Sequence, residues 1–211
     1  GSSAVVETGE SALHYAIISQ LERMFAHALA LAAQKTMRGI QLNVSKIVIT
    51  GNTTMLSFVC AFPVEGLAAA PFTPASHFGF TASWDKVRSG KINEKCSNLD
   101  LPTPEILQLF AASSVDSETP VYFPPCVGAF IGADTVCAML SAGFPSPESD
   151  ENLCWDIPVQ TPLLLADIGT NTEIALFIPK TKEQPAKILC TSAAAGPAFE
   201  AANISCGMSS V

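Results

Sequence analysis

Apolar residues recur at helical spacing across residues 11–38, at Leu13, Ala16, Ile17, Leu21, Met24, Phe25, Leu29 and Ala32. That period predicts one long helix, ended by Gly39 acting as a C-cap. Its apolar positions fill more than one stripe, which predicts packing against a sheet. His14 and His27 fall on this helix, where structural roles suit them better than ligation. The β-branched run Lys46-Ile47-Val48-Ile49-Thr50 predicts a short buried strand. Gly51-Asn52 breaks it, and Thr53 or Thr54 then N-caps a helix over 55–61. Such a strand–turn–helix unit offers free N–H groups to anions, but many α/β proteins have one without a ligand.

Beyond this unit the pattern loosens. Pro71, Pro74, Pro102, Pro104 and Pro120 punctuate the chain, and only 104–112 reads as helical. An irregular insertion or peripheral flap is the expectation for 71–119. Residues 128–140 read as an apolar helix with small residues, Gly128, Gly132 and Ala133, which let another backbone approach. Asp134 falls inside that helix, where a buried carboxylate is costly unless it is paired, hydrogen-bonded or bound to a metal. A structural cap and a functional role both stay open for it. The polar stretch 145–162, with Glu148, Asp150 and Glu151, predicts a boundary between domains.

Two apolar strands follow. Leu163-Leu164-Leu165-Ala166 ends at Asp167, and Glu173-Ile174-Ala175-Leu176-Phe177-Ile178 begins the return. The turn between them, Ile168-Gly169-Thr170-Asn171-Thr172, is rich in hydroxyls and amides. Gly169 lets a ligand come close to the backbone, Thr170, Asn171 and Thr172 add side-chain donors, and Asp167 can hold Mg²⁺ directly or through water. Together they form a cradle for a phosphoryl group with a cation beside it. An ordinary hairpin turn stays open on pattern alone. An EF-hand loop is excluded: Gly169, Thr172 and Ile178 occupy its third, sixth and twelfth positions, and strands flank it. A last strand over 187–191 leads through Ala195-Gly196-Pro197 into a helix over 198–204.

Composition narrows the function classes. Of 211 residues, 48% are hydrophobic and 14% charged, so the chain is neither disordered nor nucleic-acid-like. A net charge of −8 disfavours nucleic acids and anionic membranes as partners. The apolar window 126–144 is interrupted by Asp134 and Thr135, which predicts a buried helix and no membrane span. The seven cysteines include no C-x-x-C pair, against a zinc knuckle or an iron–sulfur loop. With no secretory signal visible, reduced buried thiols in a cytoplasmic protein are the expectation.

Several strings, taken in order, then resemble one family. They are Gly51-Asn52-Thr53-Thr54-Met55, Ala70-Pro71-Phe72-Thr73-Pro74, Gly132-Ala133-Asp134-Thr135, Asp167 to Glu173, Ala194-Ala195-Gly196-Pro197-Ala198-Phe199-Glu200, and Ile204-Ser205-Cys206-Gly207-Met208. They resemble the C-terminal actin-like (ASKHA) ATPase region of the reductive activators of corrinoid proteins. The resemblance implies a partial ribonuclease-H-like, actin-like α/β fold with two lobes joined by a connecting helix. The second half of the first lobe would occupy 1–144, with the irregular insertion and that helix. A linker would span 145–162, and the first part of the second lobe 163–211.

The resemblance also implies ATP and Mg as cofactors. Gly169, Thr170, Asn171, Thr172 and Gly196 would bind phosphates, Asp167 would organise Mg, and Asp134 or Glu173 would position water or metal. Family members drive an electron from an iron–sulfur domain to a Co(II) corrinoid, restoring Co(I) for methyl transfer. The implied partners are a corrinoid protein and an iron–sulfur domain elsewhere in a parent chain. No iron–sulfur cluster is expected in this chain, and a homodimer is left open. Thr172 stands where the family usually has Gly, which would narrow the phosphate loop. The first phosphate motif and the adenosine-binding part of the family region are not recognisable, so this chain alone is expected to be inactive. A non-catalytic interaction module of the same fold is the alternative, and a sugar or acyl kinase the third reading.

Overall fold

The computed structural model describes residues 9–35, 43–92, 115–145 and 160–195. The chain divides into two compact units, Gly1–Pro125 and Cys126–Val211. The expected helices at 104–112 and 198–204, and the polar stretch 146–159, lie outside the described residues.

In the first unit, helix α1 (Gly9–Lys35) is the long helix that the apolar period predicts. It docks by one stripe rather than several: His14, Ile18 and Glu22 are buried, while Leu13, Met24 and Leu31 on its other faces are exposed. Its main neighbour is the helix α2 (Thr53–Val59), not a sheet. Asn52, rather than Thr53 or Thr54, caps α2, its side-chain oxygen accepting from the Met55 N–H at 2.8 Å. Thr53 is instead fully buried inside the first turn, and its carbonyl accepts from the Ser57 hydroxyl.

Strand β1 (Ile47–Val48) is shorter than the run predicts, but the Ile49 N–H still reaches the Tyr122 carbonyl. A four-residue helix α3 (Glu65–Ala68) follows, then strand β2 (Phe80–Ser83), helix α4 (Trp84–Arg88) and strand β3 (Pro120–Phe123). The sheet order is β1-β3-β2, with β1 parallel and β2 antiparallel to the central β3. The region expected to be a peripheral flap therefore supplies core. Trp84 and Val87 of α4 are among its most buried residues, and Phe80 packs on Phe123 at 5.4 Å between ring centroids. Strands of four residues, one opening on a proline, carry too little alternation to be read from sequence.

The second unit begins with a loop over 126–132, folded back by the N–H groups of Val127 and Gly128 donating to the Ile131 carbonyl. Helix α5 (Ala133–Ser141) starts only at Ala133. The expected helix over 128–140 is corrected here: Gly128 and Gly132 are loop and N-cap residues, and they form no small-residue stripe on a helix. Strands β4 (Leu163–Ile168), β5 (Asn171–Ile178) and β6 (Lys187–Ala194) form an antiparallel meander. Met139 and the adjacent Phe144 pack with Ala175 and Phe177 of β5, flanked by Val136, Leu163, Leu165, Ile188 and Cys190. α5 thus groups with this sheet in the second unit.

Three buried polar contacts set how α1 is held. The His14 ring nitrogens face the carbonyls of Phe58 at 3.0 Å and Arg88 at 3.3 Å, tying α1 to α2 and α4. A neutral imidazole has one N–H and donates to one of them at a time. Glu22 lies 4.0 Å from the Arg88 guanidinium, which also bonds Asp85 at 3.0 Å. Phe25 meets Trp84 edge-on at 5.4 Å. Burial pushes the His14 pKa below its ordinary value of 6.5 and the Glu22 pKa above its ordinary 4.5. The histidine's contribution is complete above pH 6.5 and is lost as pH falls through its folded value. The glutamate acts in the opposite sense, favouring the fold below pH 4.5 and losing that contribution as pH rises.

Two predictions follow from this packing. Thermal unfolding midpoints should fall between pH 7 and pH 5.5, and His14→Gln should flatten that fall; an unchanged slope in the variant would show that His14 does not set it. A side chain at Gly66 would collide with the Thr73 carbonyl oxygen. Gly66→Ala should therefore lower stability by about 1–3 kcal/mol, read from urea unfolding midpoints.

Candidate functional site

The register of the β4–β5–β6 meander sorts its residues into rungs on one face. Alternation along each strand puts every second residue on the helix-covered side. The first rung there is Leu163, Phe177 and Ile188, and the next is Leu165, Ala175 and Cys190. Both are apolar and pack beneath α5. The third rung is Asp167, Glu173 and Ser192. One face therefore changes from apolar to acidic in a single step along the strands, at the hairpin end.

The turn itself is tighter than the sequence suggests. Ladder pairing of β4 with β5 closes at Ile168 and Thr172, leaving Gly169, Thr170 and Asn171 as the loop. The Gly169 N–H donates to the Asn171 carbonyl at 2.8 Å. Asn171 is paired with Ala194, and the Thr170 carbonyl accepts from the Ala195 N–H at 3.2 Å. The end of β6 is thus stitched to the hairpin loop. That contact brings the start of the 194–200 motif to the 167–173 motif, although the two are distant in sequence. Gly196 lies outside the described residues.

The Asp167 side chain is exposed and has no ion pair among the described residues. Glu173 is half-buried, and one of its oxygens accepts from the Ser192 hydroxyl at 3.0 Å. Like charges directly opposite on neighbouring strands repel, so this pair favours a cation between or beside it. Ser192 was not singled out in the sequence. Its signal is parity: it stands two residues beyond Cys190, on the same face of the strand. Thr172 lies in β5, one residue out of step with Glu173, and its side chain stands on the opposite face. There Leu164, Ile168 and Leu189 are also exposed.

Gly169 is notable for what does not require it. Its backbone is not left-handed, and a Cβ there would meet only the Asn171 carbonyl oxygen at 3.5 Å, an ordinary contact. Glycine in a hairpin carries an entropic cost relative to alanine, and the packing of the described residues gives no reason for it here.

Asp134 is corrected from a buried carboxylate to an exposed one in the first turn of α5. Its Oδ1 accepts from the Thr135 N–H at 2.9 Å, which satisfies a donor at the helix start. The described cysteines Cys60, Cys126, Cys137 and Cys190 are all unbridged, and burial pushes the Cys190 thiol up. Among the described residues no group of three or more His, Cys, Asp or Glu could hold a metal ion, and no helix is long and apolar enough to cross a membrane.

Comparison with known proteins gives this geometry a context. Residues 161–211 match the C-terminal domain of RACo, the ASKHA domain, and residues 3–104 match the RACo middle region. A curated relative from Methanosarcina barkeri, "[Co(II) methylated amine-specific corrinoid protein] reductase", is 30% identical over 205 residues. That alignment covers 96% of this chain but 30% of the relative, so the chain spans about a third of that protein's length. A solved structure titled "Reductive activator for corrinoid,iron-sulfur protein" is 25% identical, with a TM-score of 0.47, covering 76% of this chain and 19% of the other. By its two family matches, one to the middle region and one to the ASKHA domain that contains the hairpin, this chain belongs to the RACo family.

Proposed function

We propose that this chain is part of an ATP-dependent reductive activator that restores Co(I) in a corrinoid protein of a methyltransferase system, and that its β4–β5 hairpin supplies phosphate contacts. The observation that carries the reading is Gly169, a glycine that the hairpin's own geometry does not demand, at the tip of an acidic rung within the ASKHA match. A ligand approaching the backbone supplies the missing reason. The relative from Methanosarcina is named as a reductase of a Co(II) corrinoid protein, which supports the same activity for a parent of this chain.

The residues present fit a nucleotide with its cation. Mg²⁺ is held by one or two carboxylates together with waters and phosphate oxygens. Asp167, whose side chain has no ion pair among the described residues, and the second oxygen of Glu173 would provide those carboxylates, directly or through water. The Thr170 hydroxyl and the Asn171 side-chain amide would hold phosphate oxygens, which Gly169 would admit close to the backbone although its own N–H is engaged by the Asn171 carbonyl, with Gly196 completing the contact from the β6 side. Bound Mg²⁺ would neutralise phosphate charge during hydrolysis. Ser192 would keep the Glu173 carboxylate oriented. Asp134 would position water from the start of α5. The two units would correspond to parts of two actin-like lobes. An iron–sulfur domain elsewhere in the parent would deliver one electron to Co(II), giving Co(I).

The second reading is a non-catalytic interaction module of the same fold, argued from Thr172 in place of Gly. The Thr172 side chain stands on the face away from Asp167 and Glu173, where it does not narrow a phosphate loop, so the nucleotide-binding reading is favoured.

Calorimetry on the full-length parent tests this. Asp167→Ala should weaken Mg-ATP binding by at least about tenfold, equivalent to roughly 1.4 kcal/mol. Gly169→Ala should weaken it too, while leaving stability equal or about 0.4–1 kcal/mol higher. Thr172→Gly should leave nucleotide affinity within about twofold, a difference below about 0.5 kcal/mol. Wild-type affinity in the Asp167 variant would contradict the assignment, and no Mg-ATP binding by the parent would favour the interaction module.

A further inference from the structure

The Gly1–Pro125 unit carries a cleft of about 350 Å³ beside the edge strand β2, within the size range of small-molecule sites. Phe62, Phe80 and Ile92 give it an apolar wall, and Ser76, Thr81 and Lys86 give it a polar one. Nothing in the nucleotide reading uses these residues. The wall is fixed from behind: Phe62 and Phe80 lie 6.2 Å apart between centroids, and Phe80 is braced on Phe123.

Between the lining residues Ser76 and Phe80 the backbone is unusual. Phe78 and Gly79 have φ of 57° and 77°, the left-handed region that a phenylalanine rarely adopts. Two hydrogen bonds enforce it: the Phe78 N–H donates to the Ser76 Oγ at 3.0 Å, and the Gly79 N–H donates to the Phe123 carbonyl at 3.0 Å. The first bond uses Ser76 as an acceptor and leaves its hydroxyl hydrogen free to donate. Strained residues maintained by their surroundings often mark binding sites.

Charge sets the ligand class. On α4, Arg88 is engaged by Asp85 and Glu22, whereas Lys86 has no ion-pair partner among the described residues. Lys86 is the only charged side chain among the described residues lining the cleft, so the cleft is locally positive in a chain with 19 acidic and 11 basic residues. One ammonium and two hydroxyls match a single negative charge. They do not supply the guanidinium fork that favours phosphate.

We propose that this cleft is a second ligand site, which takes a small organic monocarboxylate with an aromatic or branched apolar body. The ring lies against Phe62 and Phe80, and the carboxylate meets Lys86, with Ser76 and Thr81 donating.

The test titrates the full chain calorimetrically with phenylacetate as the probe, and with phenylacetamide as its neutral counterpart. Phenylacetate should bind saturably in the millimolar range, as expected for so small a ligand. Phenylacetamide, and phenylacetate on Lys86→Gln, should bind about tenfold more weakly, the loss of one charge contact. Lys86 is exposed, so the variant should keep the wild-type unfolding midpoint, and Asp167→Ala should bind phenylacetate like the wild type. Absence of saturable binding, or equal affinity for acid and amide, or for wild type and Lys86→Gln, would overturn the proposal.

Discussion

The register of one antiparallel meander is the constraint on which the candidate site depends. A side chain in a strand belongs to one face, and a slip of one residue would move it to the other. Pairing of Asp167 with Glu173, and of Glu173 with Ser192, follows from the same ladder that places Ala175 and Phe177 beneath α5. The buried apolar rungs therefore hold the acidic rung in place. Burial of Phe177 and Ala175 is worth a few kcal/mol by area, roughly 1.5–3 kcal/mol for a residue such as Phe. Shifting the register would give that up and would also expose the core. The acidic pair is thus specified by packing a few ångströms away, and repulsion between the two carboxylates is the quantity that a cation would relieve.

The first unit solves a different problem. Its long helix exposes much of its apolar surface and is held through a narrow stripe containing two titratable groups, His14 and Glu22, whose pKa values burial moves in opposite directions. Burial of polar groups costs stability unless hydrogen bonds compensate. Here the carbonyls of Phe58 and Arg88 and the Arg88 guanidinium provide part of that compensation. The aromatic cluster of Phe62, Phe78, Phe80 and Phe123 then shapes the cleft beside β2.

Much of the local structure was legible in the sequence. The long apolar period of α1 and the two apolar runs on either side of the hairpin turn each predict an element, and both elements are present. The α5 start was misread because composition does not distinguish a glycine in a helix from one in a loop: Gly128 and Gly132 looked like packing residues and are turn and cap residues. Asp134 was consequently assigned to an interior that begins one turn later. Strands β2 and β3 were invisible because pairing, not local pattern, makes them strands. Ser192 was missed because its role comes from a cross-strand neighbour nineteen positions away. Family membership rested on ordered motifs rather than on periodicity, and the two family matches agree with it.

The central claim is that the hairpin tip faces the phosphates of a bound nucleotide. Hydrogen–deuterium exchange of the full-length parent, with and without Mg-ATP, tests it most directly. Amides from 167 to 173 should exchange more slowly once Mg-ATP is present, together with those at the end of β6 that the loop contacts. Unchanged exchange at this hairpin, while protection develops elsewhere in the parent, would contradict the account.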